Sequence, residues 1–301
     1  MKKPIDFQSI ELTNDMMFCT VLQEPELCRE FLQRVLGIEI QELTLTQAQQ
    51  NMKAGVYSKG IRLDIYAKDV LGNVYDIEMQ KLDTKELDLR SRYYHSEMDS
   101  HQIYEGQGYK DMKESVVIFV CDFDLFQKGR SVYTFESVCR EDLAIRLNDR
   151  RKTVFVNIRG KRDGIPTDLV KLLDYLQSSQ PTDAYTEDLQ RRVARMRDDT
   201  KWREQYMTWE MTLQERYEDG VEAGRKAGLE EGVEIGRQEG IASGRREGRD
   251  QGIEEKLCSQ IQKKLEKGKS LEQIADECEE TEERILQLME KLQNANRLKN
   301  K

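Results

Sequence analysis

Asp64, Glu78 and Gln80 are the residues whose types and spacing point most directly to chemistry. Asp64 lies in the run Ile61-Arg62-Leu63-Asp64-Ile65-Tyr66-Ala67, and the other two lie in Val74-Tyr75-Asp76-Ile77-Glu78-Met79-Gln80, with Gly72-Asn73 between the runs. In the first run Ile61, Leu63, Ile65 and Ala67 alternate with Arg62, Asp64 and Tyr66; in the second, Tyr75, Ile77 and Met79 alternate with Val74, Asp76, Glu78 and Gln80. Alternation with a period of two predicts two strands of a hairpin, each with an apolar and a polar face. If residues 69 to 73 form the loop, Asp64 stands opposite Glu78, with Cβ atoms about 5 Å apart. Two facing carboxylates destabilise a sheet, and a hard divalent cation between them reverses the sign. Gln80 shares their face, as does Asp76. The plainer alternative is a pair of solvent-facing strand carboxylates.

Other segments add to this one. Thr13-Asn14-Asp15-Met16-Met17-Phe18 precedes the hairpin, Arg92-Tyr93-Tyr94 and then Gly106, Gly108 and Tyr109 follow it, and the apolar run Val116 to Cys121 leads into Asp122-Phe123-Asp124-Leu125-Phe126. Asp, a hairpin turn and Glu-x-Gln resemble the PD-(D/E)xK nuclease signature. In their order along the chain, these segments resemble the Rpn family of recombination-promoting nucleases and transposases. The resemblance covers roughly residues 10 to 300, most specifically 13 to 126.

The resemblance implies an α/β fold with a restriction-endonuclease-like core, a mixed central sheet flanked by helices. A long helical, glycine-repeat C-terminal extension would follow. It implies a metal-dependent DNA endonuclease that hydrolyses phosphodiesters in recombination or mobile-element biology. Asp64, Glu78 and the backbone carbonyl of Met79 would hold Mg²⁺, with Mn²⁺ or Ca²⁺ as other candidate ions. Asp64, Glu78 and Gln80 would be the catalytic set. Asp15 resembles the acid that related enzymes place on their first helix, although a helix N-terminus favours an acid in any case. Gln80 stands where the wider motif has lysine; a neutral amide orients water but brings no charge. Lys81 follows, on the other face of an ideal strand, and a bulge would be needed to bring it round. The competing reading is a nuclease-fold protein, weak or inactive in catalysis, that serves as a DNA-binding or oligomeric assembly module.

The chain has 301 residues, 35% of them charged, and a net charge of −9. That length accommodates one substantial core and a smaller second unit. The acidic balance argues against non-specific polyanion binding by the whole molecule, so local clusters matter more. Between Arg146 and Arg162, seven basic residues face one acid, Asp149. Arg150, Arg151, Lys152, Arg159, Lys161 and Arg162 from this stretch are the nucleic-acid-binding candidates; solvated surface charge is the alternative. The six cysteines form no CxxC pair, as in proteins of a reducing compartment. Only two histidines, His95 and His101, are present, and no Cys/His spacing suggests zinc. The N-terminus leads into no apolar signal segment, and the longest clear apolar run, Val116 to Cys121, is too short to span a bilayer. A cytoplasmic protein without membrane contact is expected.

Helical periodicity from Asp15 to Leu36, interrupted by Pro25 and ended by Gly37, predicts two helices. A short strand near Glu42 to Thr46, a helix from Lys85 to Gln107, a buried strand over Ser115 to Cys121, strands at Val132 to Phe135 and Val154 to Ile158, and a helix with Pro166 at N1 follow. From Gly220 to Gly252 a glycine recurs every fourth residue. It lacks the strand and the GxxxxGK[ST] pattern of a phosphate loop. Each glycine costs a helix about 1 kcal/mol against alanine, so the segment is either a soluble spacer or a helix that pairs closely with a second copy of the chain. Ser270-Leu271-Glu272-Gln273 reads as a capping box that opens a helical pair. That pair resembles a helix-turn-helix but is too acidic for one that reads DNA. The expected organisation is a nuclease-like domain over 1–182, a helical extension over 183–217, the glycine-repeat tail over 218–256 and a helical hairpin over 257–301.

Overall fold

The computed structural model describes residues 5–45, 50–52, 61–103 and 106–299. The chain divides into two compact units, Met1–Glu210 and Met211–Lys301.

The first unit opens with α1 (Asp15–Val21) and α2 (Pro25–Leu36). Asn14 caps α1 by accepting from the Met17 N–H at 3.2 Å. Pro25 starts α2, and Gly37 ends it in the left-handed conformation (φ 67°), with its N–H donating to the Gln33 carbonyl. Short strands β1 (Leu43–Leu45), β2 (Gln50–Met52) and β3 (Ile61–Leu63) precede the hairpin of β4 (Ile65–Asp69) and β5 (Val74–Gln80). Next come α3 (Leu87–Ser100), β6 (Ser115–Cys121), β7 (Val132–Phe135) and β8 (Arg151–Asn157), then α4 (Thr167–Ser178), α5 (Ala184–Asp198) and α6 (Thr200–Glu266). The main sheet has the order β1-β4-β5-β6-β8-β7. β5, β6 and β8 run parallel; β1, β4 and β7 join antiparallel. A mixed sheet with a helical crossover between β5 and β6 is thus the frame, as expected.

Residues alternate between two covered faces. Ile65, Ala67, Tyr75, Ile77, Met79, Val116, Ile118 and Val120 pack with α1, α2, α4 and α5, and with Trp202 and Tyr206 at the start of α6. Tyr66, Val74, Val117, Phe119, Cys121 and Phe155 pack instead under α3, against Leu87, Tyr94 and Met98. The polar face of the hairpin is therefore not a solvent face. The phase that sends Tyr75, Ile77 and Met79 into the larger core sends Asp76 and Glu78 under α3.

Some elements differ from the sequence reading. α3 stops at Ser100, with His101 as its C-cap, rather than continuing to Gln107. Gly106 and Gly108 lie beyond it, and Gly108 precedes a short 3-10 turn, Tyr109–Asp111. Pro166 is the N-cap of α4 rather than its first helical residue. Residue 46, where the first expected strand ended, lies outside the described residues.

In the second unit the glycines from Gly220 to Gly252 lie within α6, one continuous helix, and a methyl group added to any of them would meet open space. Gly268 follows α6 with φ 75°. Ser270 Oγ accepts from the Gln273 N–H at 3.3 Å while Gln273 Oε1 accepts from the Ser270 N–H at 3.1 Å, a reciprocal cap on α7 (Leu271–Cys278). With α8 (Glu282–Lys299), α7 closes on the end of α6 around Leu257, Ile261, Ile274, Ala275, Ile285 and Leu288. No described helix is long and apolar enough to cross a membrane.

Candidate active site

β4 and β5 pair with Ile65 opposite Ile77 and Tyr66 opposite Asp76. Extending that register by one step places Asp64 opposite Glu78. Asp64 itself forms a bend between β3 and β4, and its main-chain N–H donates to Glu78 Oε1 at 3.1 Å. The β4 ladder ends at Ile65–Ile77, while β5 continues to Gln80.

Glu78 is only 2% exposed, and Asp76 is fully buried. Burial pushes the Asp76 carboxyl well above the usual range; the Asp64 charge adds to this and Arg90 opposes it. Burial raises Glu78 likewise, reinforced by Asp76 and Asp64 and opposed by Arg90 and the Asp64 N–H. Among the described residues neither Asp76 oxygen has a hydrogen-bond partner. A buried carboxylate without a partner is costly unless a proton or cation joins it.

Arg90 of α3 is the counter-charge. Its Nη2 donates to Glu78 Oε2 at 3.0 Å and to the Tyr94 hydroxyl at 2.7 Å; its Nη1 donates to Gln80 Oε1 at 3.1 Å. The guanidinium carbon sits 5.3 Å from the Tyr94 ring centre and 5.7 Å from that of Phe119. Gln80 Nε2 points back at Glu78 Oε2, 3.5 Å away. The sequence reading singled out Arg92, Tyr93 and Tyr94 and passed over Arg90. Arg92 is in fact exposed, whereas Arg90 and Tyr94 reach the carboxylates. The signal was present: Leu87, Arg90, Tyr94 and Met98 fall on one helix face, a cation in an apolar stripe that packs over acids.

Asp15 begins α1, which packs against β5, and Lys81 follows the last residue of β5. The desolvating surroundings raise the Asp15 carboxyl, and the Lys81 charge pulls it back, so the two sense each other. Lys81 is exposed. Cys121, paired with Gln80 across the strands, is an inert thiol pushed up to about 12 by burial.

The six basic candidates do not form one patch. β8 runs parallel to β5 and spans about 20 Å between Arg151 and Asn157. Arg150, Arg151 and Lys152 therefore lie at the end of the sheet away from Gln80, and Lys152 pairs with Glu114 at 2.8 Å. Arg159 lies at the Gln80 end. It grips Asp122 through two bonds of 2.9 and 3.0 Å, and the Asp122 N–H donates to the Gln80 carbonyl. Lys161 bridges to Arg130, and Arg162 bonds to Asp174 and to the Gly160 and Ile158 carbonyls.

His95 stands apart from the site. It is fully buried beneath Ser115 and Thr153, at 2.9 and 3.0 Å, and is depressed to about 4 by burial and the Arg151 charge. Nearby, burial raises the Asp99 carboxyl while Ser115 and Arg151 pull it back, and His101 Nδ1 donates to the Glu97 carbonyl at 2.7 Å.

Among the described residues no three His, Cys, Asp or Glu side chains are arranged to hold a metal ion. A donor set of two carboxylates and a main-chain carbonyl falls below that number, and it suits a cation that keeps several waters. The unpartnered Asp76 oxygens and the three mutually repelling acids fit a divalent cation at Asp64 and Glu78.

No curated protein and no solved structure matches the chain. The sequence profile of the PD-(D/E)XK nuclease family transposases matches residues 14–223, a span that runs from the cap of α1 through the hairpin and α3 into α6. With that match over more than two thirds of its length, and with a mixed sheet that sets Asp64 beside Glu78, the chain belongs to the PD-(D/E)XK nuclease family transposases.

Proposed function

We propose that this protein is a Mg²⁺-dependent DNA endonuclease of the Rpn type, acting in recombination or on mobile elements. The observation that carries the reading is the pair of buried acids Asp76 and Glu78 beside the half-buried Asp64, whose acid charge exceeds what Arg90 offsets. Asp64, Glu78 and the Met79 carbonyl would hold the ion, and Mn²⁺ or Ca²⁺ would fit the same oxygens. When bound, it lowers the pKa of a water and offsets charge on the phosphate. Asp64 and Glu78 fix its position, and the Asp64 N–H holds the Glu78 carboxylate in place. Gln80 offers an amide N–H to a water beside Glu78. Tyr94 and Phe119 close the site from beneath α3 and exclude bulk solvent. Asp15 on α1 and Lys81 after β5, which interact with each other, are proposed as further members of the catalytic set.

DNA is the proposed substrate, with Arg159 the basic residue best placed to meet its backbone near the site. Arg150, Arg151 and Lys152 would serve as contacts away from the reacting phosphate, and Lys161 and Arg162 as contacts beyond Arg159. All six cysteines are free thiols, which suits a reducing compartment, and the cytoplasm is the proposed location. The glycine-repeat stretch of α6 is proposed to pair with a second copy of the chain.

The neutral Gln80 and the Arg90 bond to Glu78 favour one second reading: a nuclease-fold protein that binds or assembles without cutting. Supercoiled plasmid incubated with the pure protein, in Mg²⁺ or in EDTA, separates the two. Metal-dependent nicking that disappears in Asp64→Ala supports the nuclease. Absence of cutting in Mg²⁺, Mn²⁺ and Ca²⁺ alike supports the assembly module.

A further inference from the structure

We propose that Arg90 and Gln80 act as one positioning unit, in which Arg90 supplies the site's positive charge and turns the Gln80 amide so that its N–H₂ group faces the reacting water. The inference rests on the nuclease reading above and extends it to a residue outside the strand motif.

An amide can face a site with either its oxygen or its nitrogen. Here the choice is fixed by a neighbour that only donates. Arg90 Nη1 donates to Gln80, so the atom it meets at 3.1 Å is the oxygen, and the nitrogen is turned towards Glu78 Oε2 at 3.5 Å. The same guanidinium donates to Glu78 Oε2 at 3.0 Å. One planar fork thus sets the geometry of two site side chains. Its own position is set in turn by the Tyr94 hydroxyl and by the Tyr94 and Phe119 rings. Lysine at position 90 would bring the charge and the donors but not the rigid planar fork, and so would not fix both groups in one geometry.

A purely structural Arg90 would neutralise Glu78 and do no more. The positioning unit requires something further: charge moved from position 90 to position 80 should restore function. Four proteins test this: wild type, Arg90→Met, Gln80→Lys and the double variant. Plasmid nicking in Mg²⁺ is read as kcat and KM, Mn²⁺ binding by calorimetry, and folding by thermal melting. We expect Arg90→Met to lower kcat about 100-fold with little change in KM. Gln80→Lys alone should also be impaired, because its ammonium would face the Arg90 guanidinium. The double variant should recover to within about tenfold of wild type, a sign reversal that independent sites do not show. Mn²⁺ should bind Arg90→Met at least as tightly as wild type, because a neighbouring cation has gone.

A folded double variant no more active than Arg90→Met overturns the proposal and leaves the nuclease reading standing. Weaker Mn²⁺ binding in an Arg90→Met protein that melts like wild type also overturns it, since Arg90 would then only shape the carboxylates. A wild type that binds Mn²⁺ but cuts nothing overturns the nuclease reading, and the unit with it.

Discussion

The main-chain N–H of Asp64 donates to the side chain of Glu78 across the hairpin, at 3.1 Å. The residue opposite Glu78 thus contributes twice, through a backbone donor that any amino acid supplies and a carboxylate that only an acid supplies. Asp64→Ala should remove the second and keep the first. We expect its melting temperature to stay close to wild type, or to rise, while nicking falls at least about 1,000-fold. Melting and nicking of the same preparation check this; a collapse of both would mean that the Asp64 side chain holds the fold.

Asp76 gives a prediction of opposite sign. Its carboxyl is buried with neither oxygen bonded, and its folded pKa is raised above 3.8. Between the unfolded pKa and that raised value the folded state binds more protons than the unfolded one. Stability is therefore full below pH 3.8 and is lost as pH rises through the raised value. Glu78 has the same sign. Asp76→Asn should stabilise the metal-free protein at pH 7.5 by about 1–3 kcal/mol, with a smaller gain at pH 5. Mg²⁺ should raise the wild-type melting temperature more at pH 8 than at pH 5. A gain that does not depend on pH would show that Asp76 carries no charge across this range.

Much of this site was legible in the chain, and what was not has a physical reason. The period-two alternation gave the strands, and the loop length gave the register that sets Asp64 against Glu78. What alternation cannot give is what covers the polar face. A polar face reads as solvated, yet α3 lies over it, and its own pattern is broken by Arg90 where it meets the acids. Arg90 looks like a surface residue until its partners at Glu78 and Gln80 are known. The basic stretch from Arg146 to Arg162 misled in the other direction. Its residues are close in sequence, but β8 carries its two halves to opposite ends of the sheet. The cap at Ser270 and the end of α2 at Gly37 were readable because both are local.

His95 supplies a second pH effect with the reverse slope. Its folded pKa is about 4 against 6.5 for a free imidazole, because burial disfavours the cation. Between those values the unfolded state binds the extra proton. Its contribution is therefore intact above pH 6.5 and declines as pH falls towards 4, by up to about 3 kcal/mol. His95→Gln can keep a bond to Ser115 or Thr153 while removing the titration. The difference in unfolding free energy between wild type and this variant should change between pH 7 and pH 4.5, with wild type losing more. A flat difference curve would place His95 in a more hydrated setting than its bonds to Ser115 and Thr153 indicate.

The glycines of α6 distinguish a spacer from a pairing surface. Each costs the helix about 1 kcal/mol relative to alanine, and among the described residues nothing beyond the adjoining helix backbone lies within 4 Å of where a Cβ would stand at any of the nine from Gly220 to Gly252. In a lone helix, Gly228→Ala, Gly232→Ala and Gly236→Ala together should raise the stability of the tail by about 2–3 kcal/mol. In a helix that approaches a second copy along this stripe, the same methyls would hold the backbones apart and weaken association. Sedimentation and thermal melting of the full chain and the triple variant give the two answers separately. A truncation to test the tail must end after Tyr217, because Trp202 and Tyr206 are 3% and 7% exposed and belong to the first core. If the full chain is a dimer, the truncated chain a monomer and the triple variant a weaker dimer, the stripe is the contact. If the triple variant is a tighter or unchanged dimer, the contact lies elsewhere and the glycines serve only to keep α6 slender.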